Sequence, residues 1–182
     1  MSAFKLEQNN RFSLGLQNFL TIICFNKKPQ KMKEGEKAPE FESTDQNGNV
    51  IKLSNFKGSK VILYFYPKDD TPGCTKEACN FRDNHQMLLD KGYTVIGVSA
   101  DNEKKHEKFA DKYELPFSLL PDTEKEIINA YGVWGPKKFM GKEYDGINRK
   151  TFIIDENGLI AKIFEKVVTK AHTEQILEAM EA

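Results

Sequence analysis

The sequence predicts an α/β protein, a mixed central sheet flanked by helices, with an N-terminal β-hairpin. Three observations carry the prediction. Residues 60–66 (KVILYFY) and 93–100 (YTVIGVSA) are continuous apolar runs rich in β-branched and aromatic residues, as suits strands covered on both faces. The segment between them has helical spacing, which makes a βαβ unit with a right-handed crossover. The run 149–165 (RKTFIIDENGLIAKIFE) reads as an antiparallel hairpin and makes the sheet mixed. A thioredoxin-like arrangement accommodates all three.

In chain order, residues 1–31 read as an N-terminal extension and 32–182 as one folded domain. The extension carries the apolar stretch LGLQNFLTIICF, interrupted by Gln17 and Asn18 and followed by Lys27 and Lys28. It is too short to span a bilayer, and it is followed by the basic segment NKKPQKMKEG where a secretory signal would have a small-residue cleavage site. FESTDQNGNVIKLS (41–54) gives two short strands around Asn47-Gly48, a strong hairpin signal. A helix follows the first buried strand from about Pro72 to Leu89, with Ala78, Phe81, Leu88 and Leu89 on one face. NEKKHEKFADKY (102–113) reads as a charged surface helix and FSLLPD (117–122) as a short strand. EKEIINAYG is a helix ended by Gly132, the late hairpin turns at Asn157-Gly158, and TEQILEAM (173–180) closes the chain as a helix.

Composition narrows the function. The 182 residues carry 27 basic and 27 acidic side chains, so no charge excess points to nucleic acid or to an acidic membrane surface. Three cysteines are too few and too odd a number for a secreted disulfide scaffold. A reducing, cytoplasmic setting and a chemical use of thiols are expected.

Two of those cysteines lie close together, in YFYPKDDTPGCTKEAC (64–79). Thr71 before Pro72 is a common way for a helix to begin, with the hydroxyl as N-cap and proline at the first helical position. Cys74 then falls in the first turn, where unpaired backbone N–H groups and the helix dipole favour an anion. The bland alternative is an inert buried cysteine. Cys79 follows five positions later, about 140° around an intact helix and roughly 7.5 Å along it. No bond forms across that gap, so either the thiols stay apart or the start of the helix unwinds to join them. Metal binding needs more cysteines than Cys24, which lies in the extension.

A hydrolase would need a base beside Cys74. His85 is eleven residues on, roughly 16 Å along the axis, and His106 and His172 stand in charged, surface-type helices where solvated side chains are the ordinary reading. Arg149, in GINRKTFIID, lies at the mouth of a strand. An arginine there is usually a solvated charge, but Asp69, Asp70 and Glu77 crowd Cys74 with negative charge in the sequence, and a cation is needed to offset them.

These residues resemble the peroxiredoxins. PKDDTPGC fits the signature Pro-x-x-x-Thr-x-x-Cys at Pro67, Thr71 and Cys74, and TPGCTKEAC is similar to the bacterioferritin-comigratory, or peroxiredoxin Q, branch. The likeness runs from about residue 33 to 180 without departure at these positions. The extension is outside it. The resemblance implies a thioredoxin-like fold and a thiol peroxidase acting on hydrogen peroxide and organic hydroperoxides. By it, Cys74 is the peroxidatic thiolate, Cys79 the resolving thiol of an intramolecular disulfide, and Thr71 and Arg149 are peroxide partners. Pro67 would shield the sulfur, and thioredoxin or a similar dithiol protein would be the reductant. It implies no metal, haem or flavin and no second subunit, so a monomer is expected. Two other readings use the same cysteines: a non-catalytic peroxide sensor or relay, and a thioredoxin-like disulfide reductase, which the replacement of Cys-x-x-Cys by Cys-x4-Cys disfavours.

Overall fold

The computed structural model describes residues 31–139 and 141–181, so the reading of the N-terminal apolar stretch lies outside the described residues. The strands are β1 (Glu42–Thr44), β2 (Val50–Lys52), β3 (Lys60–Phe65), β4 (Tyr93–Ser99), β5 (Ser118–Pro121), β6 (Trp134–Phe139), β7 (Lys142–Ile147), β8 (Lys150–Ile154) and β9 (Ile160–Phe164). The helices are α1 (Pro72–Asp83), α2 (His85–Asp90), α3 (Glu103–Tyr113), α4 (Glu126–Ala130) and α5 (His172–Glu181). Five strands form the central sheet in the order β5-β4-β3-β8-β9. β3 pairs parallel with β4 and antiparallel with β8, so the sheet is mixed and the fold is thioredoxin-like.

The central place of β3 explains its unbroken apolar run. Val61, Leu63 and Phe65 enter one core with Ile96, Val98, Leu120 and Phe152. Ile62 and Tyr64 enter the other, with Phe81, Val95, Phe109 and Leu119. Each fully buried large side chain contributes about 1.5–3 kcal/mol of transfer free energy, so a strand apolar on both faces is stable only in the middle of such a sandwich.

Both predicted hairpins form. β1 and β2 pair antiparallel across the loop at Asn47-Gly48, where the Asp45 carboxylate accepts from the Asn47 and Asn49 backbone N–H groups, each at 2.9 Å. β8 and β9 pair in the same sense, and the Asp155 carboxylate repeats the device at Asn157 and Leu159. α4 ends as the sequence suggests. The Val133 and Gly132 N–H groups bond back to the Ile128 and Asn129 carbonyls while Gly132 takes a φ of 61°.

Four expectations are corrected. The single helix over 72–89 is two, broken at Asn84, whose side-chain amide and backbone N–H share the Asn80 carbonyl at 2.9 and 3.3 Å. The break shifts the register, and Leu89 faces solvent. The sequence signals missed β6 and β7 altogether; among the described residues these charged strands pair only with each other, in a two-stranded arm between α4 and β8. His106 and His172 are fully buried, not solvated. Among the described residues no helix is long and apolar enough to cross a membrane.

Candidate active site

β3 and β8 run antiparallel with Phe65 opposite Lys150, so the end of one strand lies beside the start of the other. The loop 66–71 leaves β3 there and leads into α1, while Arg149 immediately precedes β8. Residues 75 positions apart in sequence thereby meet: Arg149 Nη2 lies 3.1 Å from Cys74 Sγ.

Local chemistry sets the rest. Thr71 is the extended N-cap residue of α1 and Pro72 its first helical residue. The first helical bond runs from the Thr75 N–H to the Thr71 carbonyl, at 2.9 Å. The Gly73 and Cys74 N–H groups precede that bond and have no acceptor within the helix. The Thr71 hydroxyl does not cap. It donates to the Lys68 carbonyl at 3.0 Å, because the turn at Asp69–Asp70, with Asp70 at a φ of 54°, folds that carbonyl back beneath it, and its lone pairs stay available. Pro67 lies half-buried in the loop 66–71. Cys74 is buried, Cys79 half-buried one and a half turns on, and both are free thiols.

Arg149 bridges two buried side chains. Its Nη1 donates to Glu77, which is wholly buried, and its Nη2 to Cys74. The guanidinium packs directly over this turn: a Cβ built at Gly73 would sit 3.4 Å from Nη2, in ordinary contact. Burial pushes the Glu77 carboxyl up to about 7, with Arg149 holding it lower than burial alone would. The guanidinium in turn is raised by Glu77 and Cys74 against its own desolvation.

Comparison with known proteins places this geometry. The AhpC/TSA family matches residues 35–163. The chain is a peroxiredoxin. It is 48% identical over 146 residues to peroxiredoxin Bcp of Bacillus subtilis (strain 168), covering 80% of this chain and 93% of that one. It superposes on a mutant of Xylella fastidiosa PrxQ with a TM-score of 0.78 at 28% identity, over 84% of this chain and 97% of that one. A structure of Xanthomonas campestris bacterioferritin comigratory protein, described for its alkyl peroxide reduction activity, gives 0.72 at 30% identity, over 78% of this chain and 90% of that one. Membership makes the chain an oxidoreductase that reduces peroxides.

In this peroxiredoxin the acidic residues crowding Cys74 in the sequence each have their own partner in space. The Asp69 carboxylate accepts from Tyr66 at 2.7 Å and lies 2.8 Å from His106 Nδ1 on α3. Asp70 meets Lys112 and Tyr113 of the same helix. Only Glu77 shares its cation with the thiol. Sequence reasoning saw Glu77 as a nuisance charge and missed its role in holding Arg149; no local pattern announces a partner 72 residues away. It also missed Lys137 on β6, whose ammonium donates to the Ile147 carbonyl at 2.8 Å and is pushed below the usual lysine range by burial first and by Arg149 second.

Proposed function

We propose that Cys74 is the peroxidatic thiolate and Cys79 the resolving thiol. Thr71, Arg149 and the first-turn N–H groups stabilise the reacting oxygens, and Pro67 shields the sulfur. The observation that carries the reading is the Arg149 guanidinium 3.1 Å from Cys74 Sγ at the start of α1. The thiolate attacks the terminal oxygen of the peroxide, the O–O bond breaks, and the departing oxygen takes a proton to leave as water or alcohol. Cys74 keeps the other oxygen as a sulfenic acid. Lowering any thiol's pKa from ~8.5 to ~6 raises its thiolate fraction at neutral pH by at most ~30-fold, and nucleophilicity falls with the pKa. The larger part of the acceleration therefore comes from donors aimed at the developing oxyanion, the roles given to Thr71, the backbone N–H groups and Arg149.

Cys79 next displaces the sulfenic hydroxyl as water and forms the Cys74–Cys79 disulfide. A dithiol protein such as thioredoxin returns both thiols, which places the enzyme in a reducing compartment such as the cytoplasm. An intramolecular disulfide needs no second subunit, so the working unit is a monomer. Steady consumption of peroxide with thioredoxin, thioredoxin reductase and NADPH tests the cycle. One turnover followed by arrest would make the chain a peroxide sensor or relay instead.

A further inference from the structure

The segment 66–71 that joins β3 to α1 carries both Pro67 and Thr71. It does not take its course unaided: Asp70 stands at a φ of 54°, in the left-handed region that side chains disfavour. Groups outside the segment must hold it there.

The hold centres on one peptide group. The Asp69 N–H donates to Asp101 Oδ2 at 2.9 Å, and Asp101 is itself braced by Ser99 Oγ at 3.2 Å and by the Lys105 ammonium at 2.9 Å. The Asp69 carboxylate accepts from the Tyr66 hydroxyl at 2.7 Å and meets His106 Nδ1 at 2.8 Å. On the other side of the same planar peptide is the Lys68 carbonyl, which accepts from the Thr71 hydroxyl at 3.0 Å. Whatever fixes Asp69 therefore fixes the direction of that hydroxyl.

His106 is the unusual member of this set. It is fully buried on α3, and its Nε2 has no hydrogen-bond partner among the described residues. The carboxylate facing Nδ1 sets the tautomer, so Nδ1–H donates to Asp69. Stability alone would favour an aliphatic residue here, because a buried nitrogen without a partner is unfavourable. What an aliphatic residue cannot supply is the bond to Asp69. The other tie between the segment and α3, from Asp70 to Lys112 and Tyr113, is exposed and correspondingly weak.

We propose that His106 is a positioning residue for the peroxide step, holding Asp69 so that the Lys68–Asp69 peptide aims the Thr71 hydroxyl at the incoming peroxide. The proposal rests on the assignment of Thr71 as a peroxide partner. With its proton engaged by the Lys68 carbonyl, the Thr71 oxygen presents lone pairs to the O–H of the peroxide. Without the Asp69–His106 bond the peptide swings, and the acceptor leaves the line of the peroxide proton. His106 acts only through Asp69.

The test follows the first oxidation of the reduced full chain, by competition for hydrogen peroxide against horseradish peroxidase, so recycling does not enter. His106→Leu fills the space without the donor and lowers the second-order rate constant about tenfold, the effect of one hydrogen bond to a charged group. The pH dependence of Cys74 alkylation by iodoacetamide stays as in the parent, because Arg149 reaches the sulfur from the start of β8 and not from this segment.

Thr71→Val supplies the background that isolates the aim. Once the hydroxyl is gone there is nothing left to direct, so adding His106→Leu lowers the rate no further. A second loss of about tenfold there would make His106 a general support of the site and overturn the proposal. Asp69→Ala combined with His106→Leu removes both buried partners, strands no carboxylate, and folds even where the single variant does not. Its rate constant stays about tenfold low. A parental rate in that pair, or a displaced alkylation profile in His106→Leu, overturns the proposal as well. The two claims fail separately: Thr71→Val oxidised at the parental rate refutes the role of Thr71, while a slow Thr71→Val beside an unaffected His106→Leu refutes the positioning alone.

Discussion

Exchanging Glu77 for glutamine removes the buried anion beside Arg149 while keeping its shape, and the consequence is calculable. Burial holds the Glu77 carboxyl at about 7 against an ordinary 4.5. Because the folded value is raised, its contribution to stability is fully present below pH 4.5 and is lost as pH rises through 7. That change is worth about 3 kcal/mol at 1.36 kcal/mol per unit. His172 works in the opposite sense. Its Nδ1 lies 2.9 Å from Gln175 Oε1 and its Nε2 lies 2.8 Å from the Thr151 hydroxyl, an arrangement that suits the neutral ring. Burial holds it at about 4 against an ordinary 6.5. Its contribution is present above pH 6.5 and is lost as pH falls through 4, again by about 3 kcal/mol. The two slopes oppose each other over most of the same window, so this pair leaves the parent's stability nearly level there. Glu77→Gln unmasks the histidine. Guanidinium unfolding of reduced parent and variant from pH 4 to 8 reads the difference, which grows in the variant's favour by about 3 kcal/mol between pH 4.5 and 7. Parallel curves for the two proteins would refute the reasoning, because Glu77 would then titrate as an exposed carboxylate.

Further expectations concern the thiols, the arginine and the sheet. Cys74→Ser abolishes peroxide reduction in the thioredoxin-coupled assay. Cys79→Ser keeps the first turnover but stalls recycling and accumulates sulfinic acid; recycling at the parental rate would remove Cys79 from the cycle. Arg149→Ala slows the second-order reaction with peroxide by about 10²–10³-fold, the usual effect of deleting one oxyanion donor. The domain stays folded because protonation relieves the stranded Glu77, and an unaltered rate constant would leave the arginine a mere counter-charge. Gly97→Ala lowers the denaturation midpoint by the equivalent of about 1–3 kcal/mol, because the new Cβ would lie 2.7 Å from Leu119 Cδ2 and 2.8 Å from the Tyr64 ring. A midpoint equal to the parent's would show that Tyr64 can move aside.

What the sequence made legible follows from how far each signal reaches. The runs 60–66 and 93–100 announce buried strands because burial on both faces leaves no polar positions, and Asn47-Gly48 and Asn157-Gly158 announce turns through residues tolerant of the required backbone. Cys74 is readable because its helix start is written locally in Thr71 and Pro72. Features set by distant partners were not readable. His106 sits among lysines and glutamates in the chain, yet Asp69, 37 residues earlier, makes its burial tolerable. His172 likewise depends on Thr151, 21 residues away. The arm of β6 and β7 contains Pro136, Gly135 and Gly146 and few apolar residues, so periodicity offers nothing to detect. The Thr71 hydroxyl was given to the helix because a threonine before proline usually caps; the turn at Asp69–Asp70 instead presents it with the Lys68 carbonyl.

The account turns on which sulfurs join when the reduced enzyme meets its substrate. Peptide mapping by mass spectrometry after one equivalent of hydrogen peroxide decides it. The account predicts a single cross-linked species, two hydrogens lighter than the reduced chain, joining Cys74 to Cys79. A link from Cys74 to Cys24 or to a second chain, or a sulfenic acid that persists with Cys79 still free, would contradict it.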